Sequence, residues 1–283
     1  MLKGTPISIL DLSKLAIIDP KNSINLLLNN EQTALIIRGA FPQELLAHAC
    51  GRLCSESMNG LIGSPNAGML GGELRTLGEA ATPTFQALNG PSKTDYLLSA
   101  QRAQEWQSMM FDDVDMIGHL SEVLSVLNQH KPVYPAPLKS NPQETWLPFN
   151  YRILPPGTQI YSHHDCHYRL PIYSELHERY DRGTLLSWFL TAQTPTKGGC
   201  LTIYGLRSDD PNPPMLPTRF VDTEVLEREY HKVELQLGVG DLVIFNSHQY
   251  VHRVTPVIGE QSRITFGGFM TSDIDRSHAV FWS

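Results

Sequence analysis

Two residues that lie two positions apart, His163 and Asp165, have the types and spacing of metal ligands. Alternate side chains of a β-strand point to the same face, so both would project together from a strand over 159–165. A second histidine, His252, lies on a later segment of the same kind. Two imidazoles and one carboxylate on one side of a metal, with open positions opposite, are typical of non-heme Fe(II) oxygenases. We therefore predict that His163, Asp165 and His252 are catalytic iron ligands.

Three further histidines are alternatives to these ligands. His164 points to the opposite face if the strand is regular. His167 would share the face of His163 but falls in the loop that we expect after the strand. His248 belongs to a predicted turn over 246–250. Each of the three is a competing assignment for one ligand position.

Arg263 follows His252 after a polar turn at 258–262, which predicts a hairpin. The arginine then returns on the neighbouring strand at a depth similar to that of the histidine. A guanidinium grips a carboxylate through two parallel hydrogen bonds, which suits the distal carboxylate of 2-oxoglutarate. Thr265 shares the face of Arg263 and adds a hydroxyl to this predicted cosubstrate site.

Four other residues on predicted strands are candidate contacts of bound molecules. Arg152 and Tyr204 are candidate contacts of the cosubstrate or of the substrate. Ser187 and Trp188 are candidates for the lining of the substrate pocket, with core packing as the alternative for Trp188.

The segments that carry these residues have the pattern of short strands. Gly, Pro and polar turns separate eight of them, at 150–154, 159–165, 184–192, 199–206, 232–238, 241–246, 252–257 and 263–271. Eight strands with no helical crossover between most of them predict a double-stranded β-helix, or jelly roll. Two longer connections, 166–183 (helical at 175–181) and 207–231 (rich in proline), are candidate walls of the substrate pocket.

The N-terminal half has a different pattern. A buried strand at 34–39 precedes a helix that begins near Pro42, and apolar residues at intervals of three and four predict one or two helices over 101–130. The glycine-rich stretch 59–89 is either a flap over the substrate or an exposed loop. We predict one domain over 1–283, mainly β with flanking helices (α+β), in which a helix-rich part, 1–145, packs on a jelly-roll core, 146–283.

Composition and charge exclude several classes of function. The 283 residues are 41% hydrophobic and 18% charged, an ordinary globular mixture. A formal net charge of −7 argues against nucleic-acid binding, and no segment has the length of a membrane span or the pattern of a signal peptide. The four cysteines show neither disulfide nor zinc spacing. We expect a cytoplasmic protein with a small-molecule substrate and no nucleic-acid or membrane partner; nothing indicates an oligomeric state.

The C-terminal sequence resembles the Fe(II)- and 2-oxoglutarate-dependent oxygenases. The resemblance is carried by Gly-Asp-Leu-Val-Ile-Phe-Asn at 240–246, followed by His252-Arg253-Val254, Gly259, Arg263 and Gly267-Gly268-Phe269. Within that group the chain is most similar to the bacterial carrier-independent alkaloid halogenases and the N-acyl amino acid β-hydroxylases. Ile-Ile-Arg-Gly-Ala-Phe-Pro at 36–42 and Phe-Trp-Ser at 281–283 also resemble the alkaloid halogenases.

This resemblance implies a reaction. It implies that 2-oxoglutarate binds iron through its keto and C1 carboxylate oxygens while Arg263 holds the other end, and that O2 is consumed as succinate and carbon dioxide are released. The halogenases of this kind carry glycine or alanine where this chain has Asp165, which leaves a coordination position for chloride. The resemblance therefore implies hydroxylation of an unactivated C–H bond in a small free metabolite, an amino acid derivative or an alkaloid-like compound, and places halogenation in doubt.

Two rival functions fit the same residues. The site would also serve a desaturase, an epimerase or a ring-forming oxidase. A protein of another class, a cupin-like binding protein with a structural metal or an inactive site, is the second rival. Substrate-dependent succinate release separates the binding protein from the enzymes, and product mass separates hydroxylation from desaturation.

Overall fold

The computed structural model describes residues 2–13, 19, 23–55, 62–63, 75–77, 93–112, 114–165, 171–218 and 220–283. Strands dominate these residues. The strands are β1 (Ile9–Ser13), β2 (Ala34–Arg38), β3 (Ile62–Gly63), β4 (Arg75–Leu77), β5 (Val133–Pro135), β6 (Asn150–Leu154), β7 (Ile160–His163), β8 (Leu186–Gln193), β9 (Lys197–Gly198), β10 (Leu201–Arg207), β11 (Lys232–Leu235), β12 (Leu242–Phe245), β13 (Tyr250–Val254), β14 (Val257–Ile258), β15 (Arg263–Ser272) and β16 (Ala279–Trp282).

The described α-helices are fewer than the strands, and four of the five come before β5 in the chain. They are α1 (Asn25–Leu28), α2 (Gln43–Leu53), α3 (Lys93–Phe111), α4 (Met116–Leu127) and α5 (Thr223–Glu229), with a 3-10 helix at Pro171–Glu175. None of the described helices combines the length and the apolar character that crossing a membrane requires.

The strands form two main sheets. The large sheet has the order β1-β2-β12-β8-β15-β6-β4-β3, and β16 joins it beside β15 with β5 next to β16. The small sheet has the order β11-β10-β13-β7, and β14 pairs with β9 in a separate ribbon. This is the jelly-roll arrangement, with open sheets and not a closed barrel. The predicted fold class, mainly β with flanking helices, is confirmed.

The inner face of the large sheet packs against the small sheet. Phe189 and Val243 of the large sheet share one buried cluster with Ile203 and Leu235 of the small one. A strand with one face toward each layer is buried on both sides, and all four residues of β12 are buried. The two layers therefore enclose an interior that side chains from both sheets can reach.

The outer face of the large sheet carries the helices. Apolar residues of α2 and α4, such as Leu46 and Leu124, are fully buried and belong to one cluster with Leu35 and Ile244 of that face. Burying one such side chain contributes roughly 1.5–3 kcal/mol. The helices thus cover and stabilise the outer face of the large sheet, and its inner face contributes side chains to the interior between the two sheets.

Two of the segments that carry the family resemblance meet in the fold. Asp241 accepts a hydrogen bond of 2.6 Å from Arg38 Nη1 and one of 3.0 Å from the backbone N–H of Gly39. Gly240 has a φ of +92°, and a Cβ there would lie 2.5 Å from the carbonyl oxygen of Phe41. These residues are therefore structural: they join the turn before β12 to the end of β2.

All eight predicted core strands are present, with ends that differ by a few residues. Several shorter strands lie outside the predicted set, and the predicted strand at 34–39 is β2. In the glycine-rich stretch, residues 62–63 and 75–77 pair as β3 and β4 and extend the large sheet beside β6; the rest of 59–89 lies outside the described residues. The helix expected at 175–181 is wrong, since the described helix there is the 3-10 helix at Pro171–Glu175.

Candidate metal centre and cosubstrate site

His163 and His252 lie directly opposite each other on the antiparallel strands β7 and β13. Opposed residues of an antiparallel pair point to the same face, and the two ring centroids are 4.4 Å apart. Ile203 of β10 is opposite His252 and belongs to the cluster between the sheets. Both imidazoles therefore belong to the inner face of the small sheet.

Backbone carbonyls set the tautomer of both rings. Nδ1 of His163 lies 2.7 Å from the carbonyl oxygen of Tyr161, and Nδ1 of His252 lies 3.1 Å from that of Tyr250. A carbonyl oxygen can only accept, so each Nδ1 carries the proton and each Nε2 has a free lone pair. In metal sites, a hydrogen bond of this kind from the other ring nitrogen orients the histidine toward the metal.

Asp165 reaches the same point from outside the strand. The expectation that it shares a strand with His163 is wrong, because β7 ends at His163. Its backbone N–H donates to the carbonyl of Ser247 at 2.9 Å, and its own carbonyl accepts from His248 Nδ1 at 2.9 Å. The turn that precedes β13 therefore holds the backbone of Asp165 in place.

The three side chains converge on one point. Nε2 of His163 lies 3.7 Å from Oδ1 of Asp165, and Nε2 of His252 lies 3.8 Å from Oδ2. One ligand atom from each residue can be chosen so that all lie within 4.8 Å of one another. Among the described residues this is the one group of three or more metal-binding side chains that could hold an ion.

The electrostatics of the group favour a cation. Burial is the main cause that lowers the pKa of His252 to about 3. The neighbouring His163 contributes to this lowering, and the charge of Asp165 opposes it. His252 is therefore neutral at pH 7, the form in which an imidazole binds metal. Of the competing histidines, His248 uses Nδ1 on the backbone of Asp165, and His167 lies outside the described residues.

Arg263 projects from β15 into the interior between the sheets. Its residue is only 6% exposed, and its guanidinium carbon lies 4.9 Å from the centroid of the Phe189 ring. Burial lowers the pKa of Arg263 to about 10, with the nearby charge of Arg152 also lowering it. No carboxylate of the described residues forms an ion pair with Arg263, so a buried, charged guanidinium is left for a ligand.

Two threonine hydroxyls lie on the same face as Arg263. Thr265 is directly opposite Thr191 of β8, and its Oγ1 lies 3.5 Å from Nη1 of Arg263. Thr191 Oγ1 is buried with no hydrogen-bond partner among the described atoms. Sequence reasoning missed Thr191, although the alternation through Ser187 and Phe189 places it on the inner face.

Two of the other predicted contacts, Arg152 and Ser187, face the interior between the sheets. Arg152 is directly opposite Thr265 and is partly buried in the interior. Ser187 Oγ donates a hydrogen bond of 2.7 Å to Oδ2 of Asp165. Both therefore lie at the site that the sequence indicates.

Tyr204 and Trp188 lie on the faces of their strands that are turned away from the metal group, and for Trp188 this is the core-packing alternative. Tyr204 follows Ile203 on β10 and so points to the outer face of the small sheet, where its hydroxyl donates to Glu227. Trp188 points to the outer face of the large sheet, where its indole N–H donates to the backbone carbonyl of Phe269 at 3.2 Å. Both side chains are packing residues on faces turned away from the site.

A cavity of about 500 Å³ lies beside Arg263. Thr191, Cys200 and Thr255 line it together with the arginine, and none of the three metal-site residues does. Three residues of β8 follow one another on its inner face. Ser187 lies at the metal group, Phe189 lies next to the guanidinium of Arg263, and Thr191 lies at the cavity. Successive positions on one face of a strand are roughly 7 Å apart, so the guanidinium of Arg263 lies one such step from the metal group.

Comparison with known proteins gives one family match. The family model of the carrier-protein-independent halogenase WelO5 matches residues 6–283. No curated protein matches the chain in sequence.

Solved structures with the same fold include a dioxygenase, an epimerase and a carbocyclase. The chain is similar to an N-substituted L-amino acid dioxygenase in complex with alpha-KG from Burkholderia ambifaria AMMD, with a TM-score of 0.54 and 16% identity over 95% of this chain and 90% of that chain. It is also similar to the epimerase SnoN in complex with Fe3+, alpha ketoglutarate and nogalamycin RO, with a TM-score of 0.53 and 13% identity over 89% of this chain and 84% of that chain. A third similar structure is the carbocyclase SnoK from nogalamycin biosynthesis, with a TM-score of 0.51 and 16% identity over 95% and 87% of the two chains. At these identities the likeness shows the fold.

Proposed function

The chain belongs to the family of the carrier-protein-independent halogenase WelO5, and we propose that it is a hydroxylase within that family. The family is one of Fe(II)- and 2-oxoglutarate-dependent oxygenases, so Fe(II), 2-oxoglutarate and O2 are its metal and cosubstrates. The proposed reaction hydroxylates an unactivated C–H bond of a small free metabolite and releases succinate and carbon dioxide. One observation carries the choice of hydroxylation: the carboxylate of Asp165 lies beside both histidines, at the position where halogenases of this kind have glycine or alanine.

The donor set fits Fe(II). Two neutral imidazoles with free Nε2 atoms and one carboxylate form the 2-His-1-carboxylate group of non-heme iron oxygenases. His163, Asp165 and His252 are the proposed ligands. When bound, iron and 2-oxoglutarate supply the oxidising chemistry that no protein side chain provides. The side chains supply position: Tyr161 and Tyr250 orient the two rings through their carbonyls, and Ser187 orients the carboxylate.

Arg263 is the proposed anchor for 2-oxoglutarate. Its guanidinium has no carboxylate partner among the residues that the structure describes. A ligand carboxylate could accept hydrogen bonds from this guanidinium and from the hydroxyls of Thr265 and Thr191. The guanidinium lies one inward-facing step of β8 from the metal group, roughly 7 Å. A five-carbon dicarboxylate is about long enough to bridge that distance, which is the geometric argument for this cosubstrate.

Turnover with a panel of metabolites tests the proposal. Purified protein with Fe(II), 2-oxoglutarate and ascorbate is incubated with amino acid derivatives and alkaloid-like compounds, and succinate and product masses are followed. We expect substrate-dependent succinate and a product heavier by one oxygen, labelled when ¹⁸O2 is used. His252→Ala is the inactive control.

Other products lead to other conclusions. A product lighter by two hydrogens indicates desaturation or ring formation, and an isomer of unchanged mass indicates epimerisation. A chlorinated product from the unmodified protein contradicts the role of Asp165. Iron binding with no substrate-dependent succinate from any compound indicates a binding protein.

A further inference from the structure

The interior between the sheets holds a second arginine, Arg152, which forms no ion pair with any residue that the structure describes. Arg152 projects from β6 next to Thr265 of β15. No carboxylate or other acceptor of the described residues contacts its guanidinium, and the contact present is with the Phe269 ring, whose centroid is 5.7 Å from the guanidinium carbon. Burial lowers the pKa of Arg152, with the charge of Asp165 acting in the opposite direction. An arginine held in this way is available to an anion.

The two arginines lie at different levels of the site. Phe269, which the Arg152 guanidinium approaches, is directly opposite Ser187, the residue that binds Asp165. Phe189, which the Arg263 guanidinium covers, is opposite Gly267. The guanidinium of Arg152 therefore lies at the level of the metal group, and that of Arg263 lies one inward-facing position farther along the sheet.

The charges of the proposed complex do not balance without a further anion. Both histidines would bind as neutral rings. Among the described residues that face the metal group and the cosubstrate site, Arg152 and Arg263 would then join Fe(II) with four positive charges in all, while Asp165 and dianionic 2-oxoglutarate would contribute three negative charges. One positive charge remains in an interior that the two sheets shield from water. Uncompensated charge is costly in such a place, and one carboxylate on the substrate would neutralise it.

The cosubstrate is the competing partner for Arg152, since its C1 carboxylate also belongs at the metal end. Iron held by His163, Asp165 and His252 would neutralise that carboxylate, and Arg263 would hold the distal carboxylate. The surroundings of Arg152 favour a substrate instead. Phe269 packs 6.4 Å from Trp282, and Trp282 packs 5.9 Å from Tyr173, measured between ring centroids, so the guanidinium stands beside an apolar, aromatic wall.

We propose that Arg152 binds the carboxylate of the substrate, and that the substrate is a monoanionic organic acid with an apolar body and not a neutral or cationic alkaloid. This inference rests on the proposed function, because the count of charges includes iron and 2-oxoglutarate. Arg152 then holds the acid end while the apolar part lies near the metal group.

Binding measurements without turnover test this inference. Anaerobic protein loaded with Fe(II) and 2-oxoglutarate is titrated calorimetrically with matched acids and amides: N-acetyl-L-leucine and N-acetyl-L-leucinamide, N-acetyl-L-tryptophan and N-acetyl-L-tryptophanamide, 3-phenylpropionate and 3-phenylpropionamide. In the unmodified protein we expect at least one acid to bind about tenfold more tightly than its amide, the scale of a charge-assisted bidentate pair. Amides that equal their acids, or a panel in which no acid binds, would overturn the inference.

Variants of Arg152 assign the effect to this residue. Arg152→Gln should weaken the acid about tenfold and remove the preference over the amide, and Arg152→Lys should lie between, since it keeps the charge but loses the fork. The affinity for 2-oxoglutarate, titrated separately, should stay within about threefold. Arg228→Gln, on an exposed helix, is the matched control and should change neither affinity.

The opposite pattern places Arg152 at the cosubstrate. If Arg152→Gln weakens 2-oxoglutarate more than tenfold and leaves acid binding unchanged, the inference is wrong and the arginine holds 2-oxoglutarate. Failure of the proposed function has a different signature, because the unmodified protein then does not bind 2-oxoglutarate in the presence of Fe(II). The acid–amide comparison in the unmodified protein tests the acidic substrate class even if Arg152→Gln does not fold, and Arg152→Lys then tests the role of the residue.

Discussion

Ser187 and Asp165 join the two sheets at the metal group. Ser187 belongs to β8 of the large sheet, Asp165 follows β7 of the small sheet, and the serine Oγ donates a hydrogen bond of 2.7 Å to Oδ2 of the carboxylate. Ser247 Oγ lies 2.7 Å from the same serine oxygen. Since Ser187 has one hydroxyl proton and gives it to Asp165, Ser247 must donate to Ser187. The carboxylate is thus oriented by a chain of two hydroxyls.

Removing the first of these hydroxyls should loosen the metal. Partners that orient metal ligands typically contribute 10–100-fold to metal affinity or activity. We expect Ser187→Ala to weaken Fe(II) binding by about tenfold, measured by anaerobic titration, with the free energy of unfolding of the metal-free protein little changed. Ser162→Ala is the control, since Ser162 contacts Thr223 on the other face of β7. Equal Fe(II) affinities in the two variants would show that the hydroxyl does not orient a ligand.

Loss of either histidine should abolish turnover. Two remaining ligands cannot hold a labile divalent ion well, so His163→Ala and His252→Ala should lose substrate-dependent succinate release and bind Fe(II) far more weakly. His164→Ala and His248→Ala address the competing assignments and should retain the metal. If either ligand variant keeps near-normal turnover, or His164→Ala alone loses iron, the assignment of the ligands is wrong.

Arg263→Ala should raise the requirement for 2-oxoglutarate. Truncating one partner of a buried, hydrogen-bonded charge pair costs about 2–5 kcal/mol, which corresponds to more than a tenfold change in the concentration needed for half-maximal succinate formation. Thr191→Ala removes a single hydrogen bond from a hydroxyl to the distal carboxylate of 2-oxoglutarate and should have a smaller effect, about 1.5–3 kcal/mol. An unchanged requirement in Arg263→Ala moves the anchor elsewhere, and Arg152 is the next candidate.

The metal-free protein should lose stability in acid because of His252. Burial lowers the pKa of its folded state from 6.5 to about 3, so between these pH values the unfolded chain binds a proton that the folded chain does not. This contribution is fully present above pH 6.5 and is lost as pH falls toward 3, by at most about 1.4 kcal/mol per pH unit. Urea unfolding at pH 7, 6 and 5 measures the free energy of unfolding of the metal-free protein. This free energy should decline less steeply with falling pH in His252→Gln than in the unmodified protein. Equal slopes in the two proteins would contradict the lowered pKa of His252.

The sequence predicts the core strands and the convergence of the three metal-site residues because alternation and turn residues mark those segments locally. The sequence does not predict which face of a strand is inward when both faces are buried. β8 and β10 are of this kind, since nearly all their residues are buried. The local pattern therefore does not show that Trp188 and Tyr204 point away from the metal group. The position of Asp165 also depends on a tertiary contact, the hydrogen bond from its backbone N–H to Ser247, which no local pattern shows.

Asp165 is the residue at which this chain departs from halogenases of its family, and Asp165→Gly tests what the carboxylate does. Glycine would free a coordination position for chloride, but it also removes a negative charge from the site and the acceptor of the Ser187 hydroxyl. Halogen transfer further requires that the substrate carbon lie closer to chloride than to the competing oxygen, and the substrate position here is set by other residues. We therefore expect hydroxylation by the unmodified protein even at high chloride.

In Asp165→Gly we expect a large loss of activity, with at most a minor chlorinated product. The measurement is product mass at low and high chloride, with chlorine recognised by its isotope pattern, and Fe(II) affinity is titrated in parallel. Asp165→Asn is the matched comparison: it keeps the size of the side chain and an acceptor oxygen but removes the charge, so it separates loss of charge from the opening of a position. Chlorination by the unmodified protein, or full activity in Asp165→Gly, would show that this carboxylate is not an iron ligand.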